Sequence, residues 1–178
     1  MAKSALLVVD VQTGMINEST YQKDRFVAAL QRLLGTARER GVPVIYIRHC
    51  DSAGGELEAG SDSWQIFEAI APRDGEKIFD KRFNSAFRQT GLREYLNEAG
   101  IESLVLAGMM TEYCLDATCK VAFEYGYSLR TAPEINTTLG HGDVPPEEVH
   151  RYYNNVIWNK RFASVIPLDE LCEALGRE

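Results

Sequence analysis

Cysteine and histidine are scarce, and where they stand matters more than their number. The four cysteines, at 50, 114, 119 and 172, form no C-x-x-C pair. That spacing offers neither a zinc ribbon nor a disulfide framework. The three histidines, His49, His141 and His150, show no His-x-His or His-Glu-x-x-His spacing. No catalytic metal is therefore expected. G-x-G-x-x-G is missing too, which argues against a dinucleotide, and no other cofactor is expected. No apolar run approaches the ~20 residues of a membrane span. The start, Met1-Ala2-Lys3-Ser4, enters a strand-like run without a signal-peptide layout, so a cytoplasmic protein is expected. Long runs of one charge are lacking as well. The net charge of −7, from 19 basic and 26 acidic residues, argues against nucleic acid or an anionic membrane as partner. A small-molecule substrate stays open.

What is present is an alternation of two periods. Short runs at 5–9, 44–47, 77–79, 103–106, 127–132 and 163–166 read as six strands, the first a near-continuous aliphatic run and that at 77–79 a weaker one. Between them apolar residues recur at helical spacing, as in Phe26, Leu30, Leu33, Leu34 and Ala37, or Leu92, Tyr95, Leu96 and Ala99. Gly41, Gly100 and Gly126 close three of these helices. Shorter helices are expected over 64–71, 149–158 and 168–175, and loops over 52–63 and 133–146. Runs apolar on both faces suit buried parallel strands. The expected fold is thus α/β: a doubly wound, six-stranded, mostly parallel and Rossmann-like sheet with helices on both faces. A chain of this size buries about 70% of its unfolded surface, and one domain spanning 1–178 is expected.

In open α/β sheets ligands sit beyond the carboxyl ends of the strands. Asp10, His49, Lys81 and Cys114 all fall just past expected strand ends, so the fold gathers them on one rim. Cys114 follows a glycine turn at Gly108, and Thr111 is a plausible N-cap for the helix after it. A thiol in that first turn would have its pKa drawn down toward thiolate. Asp10 would serve as its base, with the Lys81 ammonium favouring both anions. The N–H groups of Thr111 and Cys114 would hold an oxyanion. Gln12, His49, Trp64, Phe83 and Tyr113 are the candidates for lining a substrate pocket.

Three separated stretches also resemble one family. Leu6-Leu7-Val8-Val9-Asp10-Val11-Gln12, Lys81-Arg82-Phe83-Asn84-Ser85-Ala86-Phe87 and Gly108-Met109-Met110-Thr111-Glu112-Tyr113-Cys114 resemble the isochorismatase-like cysteine hydrolases. The resemblance runs from about Ser4 to Pro167. It implies an Asp–Lys–Cys triad of Asp10, Lys81 and Cys114, a cis peptide at Met110–Thr111, and a homo-oligomer, dimer or tetramer. Nicotinamidases of that family carry a metal-binding Asp-x-His after the second strand, where this chain has His49-Cys50-Asp51. Vinyl-ether isochorismatases commonly lack the cysteine. The expectation that follows is a metal-free amidase acting on a small non-peptide C–N bond through a thioacyl intermediate. Its rivals are vinyl-ether hydrolysis without a covalent step, and a metabolite-binding or redox-sensing module using Cys114.

Overall fold

In the computed structural model, residues 3–176 are described. Met1, Ala2, Arg177 and Glu178, which belong to the expected 1–178 domain, lie outside the described residues. Six parallel strands form one sheet: β1 (Lys3–Val9), β2 (Val44–His49), β3 (Lys77–Lys81), β4 (Ile101–Gly108), β5 (Ser128–Thr131) and β6 (Ser164–Val165). Their order is β3-β2-β1-β4-β5-β6. β1 is central, flanked by β2 and β4, and its continuous aliphatic run fills a core on each face of the sheet. Leu6 and Val8 enter one core, with Phe26, Leu30 and Leu33 of α1 (Lys23–Glu39) and Leu171 of the C-terminal helix. Ala5, Leu7 and Val9 enter the other, with Leu92, Leu96 and Trp158. The intervening helices are α2 (Leu92–Glu98), α3 (Asp116–Glu124), α4 (Pro146–Tyr152) and α5 (Leu168–Ala174). Among the described residues, no helix is long and apolar enough to cross a membrane.

The order reverses direction between β1 and β4, where a doubly wound sheet leaves a crevice. Asp10 leaves β1 in the left-handed region, φ 54°. Such a backbone costs a non-glycine residue about 1–3 kcal/mol, and aspartate is among the residues that tolerate it. Each buried Leu or Val of β1 supplies about 1.5–3 kcal/mol, so packing of the strand easily holds the bend.

At the end of β4, Gly108 has φ +128°, and a Cβ there would fall 2.0 Å from the Val9 carbonyl oxygen. The two central strands approach each other there too closely for any side chain. Gly108→Ala should therefore cost upwards of about 3 kcal/mol and lower Tm by at least roughly 6–12 °C, as thermal melting would show. An unchanged melting curve would mean that the strands can part at no cost.

Three expectations are corrected. Residues 64–71 hold only a 3₁₀ turn, Glu68–Ile70, because Ile66 pairs with Gln12 and the Phe67 N–H donates to the Val11 carbonyl. Those backbone bonds to the segment after β1 replace helical ones. The helix expected over 149–158 begins earlier, at Pro146, and changes at Tyr153–Trp158 to wider π-helical turns. Thr111 is no N-cap: it opens a π-helical turn, Thr111–Leu115, that runs into α3.

Candidate active site

Lys81 is the last residue of β3 and pairs in register with His49, the last residue of β2. Its side chain is 0% exposed, and a buried ammonium is tolerable only with partners. It has three. Nζ lies 2.6 Å from Asp10 Oδ2, 3.1 Å from His49 Nδ1 and 3.2 Å from Cys114 Sγ. An ammonium carries three protons, so each finds an acceptor. Donor atoms of Asp10, His49 and Cys114 fall within 4.8 Å of one another, a set of the kind that binds metal ions. Here, however, the Lys81 ammonium is already the cation among them.

Cys114 sits midway in the π-helical turn, where the Leu115 N–H reaches back five residues to the Met110 carbonyl. Asn84 Oδ1 is 4.0 Å from the sulfur. Burial, and then the Asp10 carboxylate, push the thiol up to about 12, with Lys81 opposing them. This reverses the expected lowering, and magnitudes show why. The rise from 9.0 corresponds to roughly 4 kcal/mol, whereas a helix-terminus dipole supplies about 0.3–1 kcal/mol. The resting sulfur is a thiol. Burial likewise raises the Asp10 carboxyl above its ordinary value, against the pull of Lys81. Burial and the adjacent ammonium lower His49, leaving its imidazole neutral at neutral pH. One pH consequence follows. Alkylation of Cys114 by iodoacetamide, read by peptide mass spectrometry, should keep rising about tenfold per pH unit through pH 10. A plateau near pH 8.5 would contradict a buried thiol.

The backbone donors differ from expectation as well. The Thr111 N–H is spent on the Thr137 carbonyl at 2.9 Å, and Thr111 Oγ1 lies 3.0 Å from both that carbonyl and Asn136 Oδ1. The segment at 136–137, bridged to Gly108, thus claims Thr111 completely. The cis peptide is Met109–Met110 rather than Met110–Thr111. The Met109 N–H is bound to the Val9 carbonyl and the Thr111 N–H to Thr137, which leaves the bend between these two anchors. Among the described residues, the Met110 N–H has no acceptor.

A cavity of about 220 Å³ opens onto Cys114, lined also by Asp10, Met15, His49, Leu57, Asn84, Met110 and Tyr113. Of the expected lining residues, His49 and Tyr113 are there. Tyr113 is 38% exposed at its mouth and its hydroxyl lies 2.8 Å from His141 Nδ1. Gln12 is not. Its buried amide donates to the His49 and Trp64 carbonyls and accepts from the His49 N–H, at 2.8–3.0 Å, so it ties the end of β2 to the loop at Trp64. Trp64 donates to Cys50 Sγ and lies under the Arg48 guanidinium. Phe83 lies under Arg88 in a neighbouring hollow. Asn84, Met15, Leu57 and Met110 were missed. Asn84 had a signal, standing three residues after Lys81 in the same stretch. Met15 and Leu57 come from loops without periodicity and had none.

With this geometry in view, the chain's relatives can be compared. Residues 4–170 match the isochorismatase domain family. Streptothricin hydrolase from Streptomyces noursei is 31% identical over 76% of this chain and 54% of its own length. Maleamate amidohydrolase from Pseudomonas putida is 30% identical over 70% of this chain and 68% of its own. The crystal structure of an isochorismatase-family protein from Chromobacterium violaceum superimposes with a TM-score of 0.91 at 28% identity, covering 99% of this chain and 95% of that one.

Proposed function

The chain belongs to the isochorismatase family of hydrolases, and from that premise we propose that it hydrolyses a small, uncharged, non-peptide amide through a thioacyl intermediate on Cys114. The observation that carries the reading is the Lys81 ammonium, which touches Asp10 and Cys114 at once, at 2.6 and 3.2 Å. Asp10 Oδ2 is held by Lys81, while Oδ1 is buried without a hydrogen-bond partner. That oxygen is the free acceptor for the Cys114 proton. As the proton moves to Asp10, the sulfur attacks the amide carbonyl carbon, and the carbonyl oxygen takes up the charge against the N–H groups of Met110 and Cys114. One such donor is typically worth about 2.7–4 kcal/mol of barrier. The C–N bond breaks, the amine leaves with the proton from Asp10, and a thioester remains. Water, giving a proton to Asp10, then attacks the thioester, and the proton returns to the sulfur as the acid departs.

Size and polarity define the substrate class. A cavity of about 220 Å³ lies below the ~300–1,000 Å³ of drug-sized sites. Met15, Leu57 and Met110 make much of its wall apolar, and no arginine lines it. All three Lys81 protons are engaged, so a dicarboxylate would enter without a cationic partner. Burying such a charge is costly, which favours an amide over the vinyl ether of isochorismate. The redox reading is disfavoured by the high thiol pKa and by the buried Cys119 and Cys50. A sensor wants an exposed thiolate beside a resolving cysteine.

The test is a panel of small amides, neutral and carboxylate-bearing, scored by ammonia or amine release and by intact-protein mass. Neutral amides should be cleaved, with an acyl adduct on Cys114 at early times. Cleavage of a vinyl ether with no amide turned over and no adduct would overturn the proposal.

A further inference from the structure

His49 makes a contact that lining a pocket does not require. Its Nδ1 is 3.1 Å from Lys81 Nζ. An ammonium has no lone pair to accept with, so Nδ1 must be the acceptor and Nε2 must carry the ring proton. Nε2 in turn faces Asp51 Oδ1 at 3.4 Å. Asp51 is itself held: its N–H donates to the Leu57 carbonyl, and its Oδ2 accepts the Leu57 N–H at 2.9 Å. The loop leaves room for this carboxylate, because a Cβ on Gly55 would fall 2.4 Å from Asp51 Cβ. On its other side His49 is clamped through its backbone, with Gln12 bonding both its N–H and its carbonyl. The backbone, one ring nitrogen and then the other are thus fixed in turn, and the chain of contacts ends on the Lys81 ammonium.

We propose that His49, oriented by Asp51 and Gln12, is a positioning residue for Lys81: its unprotonated Nδ1 takes the third ammonium proton and holds Nζ between Asp10 and Cys114. The inference rests on the reading of Lys81 as the ammonium of the triad. Without Nδ1, one ammonium N–H would be buried unpaired, and an unpaired polar group in a dry site is costly. The ammonium would then turn away, and its support for anionic sulfur would weaken. The charged or titratable groups facing the ring are Lys81 from β3, Asp10 after β1, Asp51 on the loop after β2, and Cys114 in the π-helical turn. Protonation of His49 would therefore place a second cation beside Lys81 and break the contact.

Two measurements need no substrate, so they stand apart from the amide panel. The first is the rate of Cys114 alkylation by iodoacetamide at pH 8 in the wild-type protein, His49→Leu and His49→Asn. Asparagine can present an oxygen where Nδ1 stood; leucine cannot. The expected result is a fall of about tenfold for His49→Leu, equivalent to a rise of about one unit in the thiol pKa, with most of the rate recovered in His49→Asn. Equal rates in wild type and His49→Leu would overturn the proposal. The second is the nitrogen NMR of the wild-type imidazole, which guards against a His49→Leu protein that does not fold. A bare Nδ1 and a protonated Nε2 are expected, and a protonated Nδ1 at neutral pH would overturn it. Where an amide is turned over, the loss in His49→Leu should fall on kcat. A change confined to KM would make His49 a substrate contact only.

Discussion

Cys114→Ala should lower kcat/KM for any amide this protein hydrolyses by at least about 10⁴-fold, since loss of a nucleophile acting in concert with its base removes nearly the whole covalent route. The cavity should survive the change. The sulfur is one of three acceptors for Lys81, which keeps Asp10 and His49, and its own contact with Asn84 Oδ1 is long, at 4.0 Å. Steady-state kinetics alongside a melting curve separates the two effects. The variant should melt close to wild type, show no acyl adduct by mass, and leave only background hydrolysis. A Cys114→Ala protein that still turned over substrate at the wild-type rate would remove the covalent mechanism altogether.

Lys81→Met should damage both stability and rate. Removing one member of a buried ion pair leaves the other unpaired, at about 3–5 kcal/mol, far more than the ~0–1 kcal/mol typical of exposed pairs. The rate should fall by about 10²–10⁴-fold, the range for loss of assisted proton transfer. The loss of stability should depend on pH in a definite direction. Burial raises the Asp10 carboxyl in the folded state, and Lys81 is the chief influence lowering it. In the variant the folded carboxyl therefore holds its proton more tightly than the unfolded one, near its ordinary ~3.9. Protonation favours folding, so the deficit should be least below the unfolded value and grow as pH rises through the folded one. Urea midpoints at pH 5 and pH 8 check this: the gap to wild type should be wider at pH 8. Asp10→Asn in the same chain should recover much of the loss, because no unpaired charge then remains. A gap independent of pH would mean that Lys81 does not serve as the partner of Asp10.

How far the sequence carried the reading depended on whether a property was local. The aliphatic run of β1 is apolar on both faces because helices cover both sides of the sheet, and that pattern is written in consecutive residues. Asp10, Lys81 and Cys114 were legible because each stands at or after the end of a strand-like stretch, and a parallel sheet delivers strand ends to one rim. Properties set by segments distant in sequence were not legible. The proton affinity of Cys114 reverses because distant segments bury it beside a carboxylate. Thr111 loses its N–H to Thr137, twenty-six residues on, and no capping rule sees that partner. Gln12 reads as a pocket residue from its place beside Asp10, yet its amide is consumed by two carbonyls and an N–H from the end of β2 and a distant loop. The single-residue error in the cis bond has the same origin, since tertiary anchors on either side of Met110 decide where the backbone bends.

The strand that delivers Lys81 is supported on one side only. β3 is an edge of the sheet, five residues bonded to β2 alone, and much of it faces solvent. Edge segments open at lower free energy than central strands. Fraying of β3 would withdraw the lysine while most of the two cores stayed packed, so under the proposed mechanism activity would be lost before the fold. In a denaturant titration, turnover should accordingly vanish before the global transition, and amides of β3 should exchange with solvent well ahead of those in β1.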